Sequence, residues 1–224
     1  MKKLFLATVA AGLCGFIATA SAHNTLTSME GYAGYVTDLE MRVTHGCKGS
    51  PVKEVRIKIP ESVMRVSVGV TRDWKVETKM RKLDKPVPGE GGTMITETVD
   101  EIIWKDPASV IPAGGAFEGF KFRGALPKDE GKILFFRTIN VCENGDDKYV
   151  DLPKEDLKVT DPDFKKKLFA FLTATPGPSP FLIVTKAPKP QYPWEPVEMP
   201  SKAEAPAGQK PADQKSGGPQ KASN

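Results

Sequence analysis

Histidine is scarce in this chain, with only His23 and His45, and cysteine nearly so, with three residues. A closed zinc motif cannot be drawn from that stock, and no Ser/His/Asp arrangement has support. A Gly-rich loop that would cradle phosphate is missing as well. These absences speak against zinc-finger, serine-hydrolase and phosphoryl-transfer chemistry, and no enzyme is expected. After residue 22 no segment stays apolar over the roughly 20 residues that a bilayer core demands. No membrane span is therefore expected in the processed chain. An excess of one charge is also missing where it would matter. Setting aside Lys2, Lys3 and the stretch from Lys186 on, with its six lysines and four acids, leaves 24 basic and 24 acidic side chains. Nothing in that balance asks for nucleic acid or an anionic membrane.

What is present begins with a leader. Lys2 and Lys3 precede an uncharged apolar run from Leu4 to Thr19, and Ala20-Ser21-Ala22 supplies the small residues that signal peptidase reads. Residues 1–22 are expected to be a signal peptide cleaved after Ala22, which makes the mature protein periplasmic or secreted and starts it at His23. Cys14 leaves with the leader. Cys47 and Cys142 remain, an even pair in an oxidising compartment, and a disulfide between them is expected.

Period-two alternation dominates after residue 35. Leu39, Met41 and Val43 alternate with charged neighbours, as do Val55, Ile57 and Ile59, then Val66, Val68 and Val70, then Trp74, Val76, Thr78 and Met80. Each run reads as a half-buried strand. Further strands are expected over 96–104, 117–123, 132–141, 148–152 and 181–185, with Gly- and Pro-rich turns between most of them. Short strands at this spacing predict an all-β antiparallel sandwich or barrel. Trp74 and Trp104 are expected in its core. One short C-terminal helix is expected, capped by Asp161, with Phe164, Leu168, Phe171 and Leu172 on one face. From Lys186 the composition shifts to Pro, Lys, Ala and Gly, too poor in apolar residues to order itself. The organisation reads as signal peptide 1–22, sandwich 23–155, extension with helix 156–185 and disordered tail 186–224.

The chemistry concentrates at the mature N-terminus. A chain starting at His23 offers its α-amine and its imidazole Nδ1 together, closing a six-membered chelate ring on a metal. The amine holds its proton weakly near neutral pH, with an ordinary pKa of about 7.7–8.0. Nitrogen donors joined by an oxygen suit Cu(II), and Glu30, seven residues on, can supply the oxygen. His45 is a second candidate ligand, though a turn residue is the simpler reading. Met29 is a soft donor near His23 that suits Cu(I), against the simpler reading of core filling or exposure.

His23-Asn24-Thr25-Leu26 and Glu30 are followed by Thr44-His45-Gly46-Cys47, Val55-Arg56-Ile57-Lys58-Ile59-Pro60, Asp73-Trp74-Lys75, Glu101-Ile102-Ile103-Trp104 and Val141-Cys142-Glu143-Asn144-Gly145. In this order they resemble the YcnI-like family, a domain of unknown function associated with copper, over about residues 23–155. The resemblance implies an immunoglobulin-like or cupredoxin-like sandwich. It also implies a Cu(II) site built from His23, its amine and Glu30. The family usually places a tryptophan beside the copper just after the second cysteine, and Tyr149 stands there in this sequence. The function expected is an exported copper(II) chaperone or metal-handling accessory, with a second copper chaperone or a cuproprotein as partner. Two other readings stay open. One is a non-metal structural or interaction module that uses the region after 155. The other is a copper-dependent oxidative enzyme, for which His45 would have to complete the ligand set.

Overall fold

Alternating apolar and charged residues turn one face of a strand to the core and the other to water. The computed structural model of the chain, in which residues 23–192 are described, is built on that alternation. Its strands in chain order are β1 (Thr25–Leu26), β2 (Glu30–Tyr32), β3 (Val36–Val43), β4 (Val52–Lys58), β5 (Met64–Val68) and β6 (Lys75–Pro88). They continue with β7 (Met94–Lys105), β8 (Glu118–Ala125), β9 (Ile133–Phe135), β10 (Thr138–Cys142), β11 (Asp146–Tyr149) and, after the helix α1 (Phe164–Ala174), β12 (Phe181–Thr185). The signal peptide expected over 1–22 and the tail from 193 on lie outside the described residues. Contacts divide the chain after Pro188.

Three sheets result, in the orders β1-β3-β8-β5, β11-β10-β4-β7-β6 and β2-β12-β9. All strand pairings are antiparallel except β12 with β2. The two larger sheets share one core. Leu39, Met41, Val43 and Phe120 come from the first, and Val55, Ile57, Ile102 and Trp104 from the second. Phe120 is the hinge of this packing, its ring 5.1 Å from Trp74 and 5.2 Å from Trp104. Burying each such side chain contributes about 1.5–3 kcal/mol. The fold is thus an antiparallel β-sandwich with one short helix. No helix among the described residues is long and apolar enough to cross a membrane.

The expected disulfide forms: Cys47 and Cys142 are bonded, with their Cα atoms 6.0 Å apart. It ties the loop after β3 to the end of β10, and so joins the two larger sheets. The Cys47 N–H also donates to Cys142 Sγ at 3.0 Å.

Several strand expectations need correction. Val70 lies outside β5 and is almost fully exposed, because β5 ends at Val68. The run after Trp74 does not have a buried face. β6 is the edge of its sheet, and with β7 it projects as a long hairpin in which Val76 and Met80 are exposed. Alternation there serves cross-strand charge pairs, Lys79 with Glu101 and Lys105 with Glu77, both at 2.6 Å. The stretch read as one strand over 132–141 breaks at Phe136-Arg137 into β9 and β10, which belong to different sheets. The strand expected at 148–152 sits earlier, at Asp146–Tyr149, and Leu152 is exposed. The helix starts later than Asp161. Asp163 holds the cap position without a side-chain hydrogen bond, and Asp161 instead accepts from the Phe164 N–H through its carbonyl.

Closing a loop of 95 residues removes entropy from the unfolded chain worth about 4–5 kcal/mol. Urea unfolding of protein beginning at His23, with and without reductant, should therefore show a stability loss of that size on reduction. A Cys47→Ser/Cys142→Ser variant should match the reduced protein and be insensitive to reductant.

Candidate metal centre

Strand β1 is two residues long, so pairing alone would hold the N-terminal end of the domain weakly. Thr25 lies opposite Arg42 and Leu26 opposite Met41 on β3. The stronger hold is a buried amide pair. Asn24 Nδ2 donates to Asn140 Oδ1 at 2.8 Å, and Asn140 Nδ2 donates back to Asn24 Oδ1 at 3.1 Å. Asn24 is 3% exposed and Asn140 1%. Each amide answers the other, which removes the cost of burying them alone.

Asn140 occupies the middle of β10, whose residues Thr138, Asn140 and Cys142 all face inward while Ile139 and Val141 are half-buried. The neighbouring strand β11 places Tyr149 opposite Thr138. His23, next to the anchored Asn24, thereby comes against Tyr149. Their ring centroids are 5.8 Å apart and the planes nearly perpendicular, at 88°. Tyr149 is buried, and burial, helped by the Asp147 carboxylate, pushes its phenol up to about 12. Near neutral pH it is an uncharged aromatic wall beside His23 and not a phenolate donor. The chain behind the wall is held by Gly177, where a side chain's first carbon would lie 2.0 Å from the Lys148 carbonyl oxygen. Only glycine lets the 176–180 loop close on β11 there. The Ser179 hydroxyl then donates to the Tyr149 carbonyl at 3.3 Å.

His23 is half-buried and lines a cavity of about 160 Å³. Met29, Leu172 of α1, Pro178, Ser179 and Phe181 line it too. Glu30 does not. It begins β2 with its side chain exposed and lines a different cavity, of about 470 Å³, with Tyr32, Tyr35 and Asp38. His45 lies in the loop after β3, with its Nδ1 2.7 Å from the Gly46 carbonyl oxygen. The structure therefore brings His23 and Tyr149 together, adds Met29 to the His23 cavity, and puts Glu30 in a different cavity. Among the described residues, no group of three or more His, Cys, Asp or Glu side chains is gathered so as to hold a metal ion. In the unprocessed chain the His23 backbone nitrogen is a peptide amide, and it becomes a donor amine only on cleavage before it.

Sequence reading missed the Asn24–Asn140 pair. A signal for it existed: counting back by twos from the inward Cys142 puts Asn140 and Thr138 on the buried face of their strand.

Residues 23–164 match the family described as a domain of unknown function, DUF1775. The chain belongs to this family. The match contains the whole stretch, 23–155, over which the sequence resembles YcnI-like proteins. A DUF1775 domain thus carries the anchored N-terminal segment, the disulfide and Tyr149. No curated protein matches the chain. Among solved structures, an uncharacterised protein from Nocardia farcinica, described as having an immunoglobulin-like fold, is similar over 73% of this chain and 99% of its own, at 15% identity and a TM-score of 0.49. A DUF4466 family protein from Parabacteroides merdae aligns with 57% of this chain and 44% of its own, at 8% identity and a TM-score of 0.24.

Removing one member of the amide pair strands the other in the core. Asn24→Ala or Asn140→Ala should each cost about 2–4 kcal/mol in urea unfolding. The double variant should cost clearly less than the sum, because the second substitution removes a group that the first left unpaired.

Proposed function

We propose that the mature protein is an exported copper(II) carrier that binds the ion at its own N-terminus. The observation that supports this most is the placement of His23. The buried Asn24–Asn140 pair fixes the residue immediately after it, and the Tyr149 ring fixes one side of the imidazole. A chelate made of one residue's amine and imidazole needs that kind of support, since a frayed terminus would lose entropy on binding.

The donor chemistry fits. Cu(II) favours nitrogen and oxygen donors in a tetragonal set, and imidazole is among its preferred ligands. The described side chains alone gather no such set, so the amine released by cleavage after Ala22 is the donor that makes the site tight. Glu30 lines a different cavity, so its exposed side chain must turn toward His23 to supply the oxygen, and Tyr149 stands against the imidazole. Copper is cargo in this reading. A site at the edge of the domain, held by one residue and a carboxylate, passes its ion to a cuproprotein or a second chaperone by ligand exchange, without catalysis. The Cys47–Cys142 disulfide suits the oxidising compartment that export would reach.

Protein beginning at His23 should take up one equivalent of Cu(II), with nitrogen hyperfine couplings in its electron paramagnetic resonance spectrum. His23→Ala, which loses the imidazole, or a single extra residue before His23, which turns its amine into an amide, should weaken binding on the order of a hundredfold by removing one of the two chelating nitrogens. Glu30→Ala should weaken it by a smaller factor, on the order of ten. Binding that is indifferent to His23 would overturn the reading.

A further inference from the structure

We infer that the His23 cavity also takes Cu(I), with the Met29 thioether as a ligand beside the His23 imidazole. The inference rests on the copper reading of His23, and adds to it a ligand and a second oxidation state.

Met29 lies six positions after His23, and both line the same small cavity. The chain turns between them in a fixed way. The Thr27 N–H donates to the Glu40 carbonyl at 2.9 Å, and the Ser28 hydroxyl donates to the Glu30 carbonyl at 2.7 Å. The Ile183 N–H then donates to the Met29 carbonyl at 2.8 Å, which holds the Met29 backbone on β12. With its backbone pinned there, Met29 lines the His23 cavity and the next residue, Glu30, lines the other one. Met29 is half-exposed, so it does not serve as core filling.

The surroundings select for charge and softness. Leu172, Pro178, Pro180 and Phe181 make much of the wall apolar, and the Ser179 hydroxyl is already engaged with a backbone carbonyl. Transferring an ion into such surroundings costs energy that rises steeply with its charge, which favours a monovalent ion over a divalent one. A thioether is a soft donor that selects Cu(I) and has little affinity for hard cations. The carboxylate that Cu(II) would favour faces elsewhere. One cavity thus offers a soft ligand and an imidazole, and the carboxylate that serves the other oxidation state lies outside it. No electron transfer is required, because each ion binds as supplied.

The test uses mature protein starting at His23, with Cu(I) delivered under anaerobic conditions and its affinity read by competition with a chromophoric Cu(I) chelator. Copper-edge X-ray absorption reads the ligand atoms. The native protein should show a Cu–S scattering path. Met29→Leu should abolish that path and lower the ratio of Cu(I) to Cu(II) affinity about tenfold or more. A native protein with no Cu–S path, or a ratio unchanged by Met29→Leu in a variant with native circular dichroism and melting temperature, would overturn the inference while leaving Cu(II) binding by His23 intact. Loss of Cu(II) binding with the Cu–S path retained would instead sink the Cu(II) reading and leave Met29 as a ligand.

Discussion

The reciprocal hydrogen bonds between Asn24 and Asn140 carry the organisation of this molecule's N-terminal end. Two residues of β1 paired to β3 could fray at little cost, whereas two buried amides cannot separate without leaving four polar groups unsatisfied. Strand β10 concentrates the consequences. Its inward residues are Thr138 opposite Tyr149, Asn140 on Asn24, and Cys142 in the disulfide. One face of one strand of five residues therefore fixes the aromatic wall, the N-terminal anchor and the covalent link between the sheets. That face holds one side of His23.

The segment after the disulfide closes the other side. β12 pairs antiparallel with β9 and parallel with β2, which brings residues far apart in sequence to the turn that carries Met29. The glycine at 177 lets the proline-rich loop lie against β11, and α1 packs over β9 through Phe135 and Phe171, with ring centroids 5.9 Å apart. The 156–185 extension is thus a structural part of the same unit as the sandwich. It supplies half of the cavity wall around His23, including Leu172 and Phe181.

Much of this was legible in the sequence, and for a physical reason. Leu39-Met41-Val43 and Val55-Ile57-Ile59 alternate because a sandwich strand has one wet face, so the pattern reports burial directly. The Cys47–Cys142 pairing was legible because only two cysteines lie outside the expected leader. The pattern failed where alternation had another cause. In β6 it pairs charges across an exposed hairpin, and the same letters that imply a core face describe a strand in water on both sides. β1 and β2 were illegible because two or three residues cannot show a period, and their partners, β3 and β12, are distant in sequence. At the site, the proximity of Tyr149 to His23 was anticipated from the family resemblance. The separation of Glu30 from the His23 cavity was not, because sequence spacing says nothing of which way a turn sends consecutive side chains.

The burial of Asn24 also bears on any cut made just before residue 23. A peptidase that cuts between Ala22 and His23 must hold several residues on each side of that bond in extended form in its cleft. In the folded domain residue 24 is enclosed, and residues 25 and 26 are already paired to β3. A cut at this bond and completion of the sandwich would thus compete for the same residues.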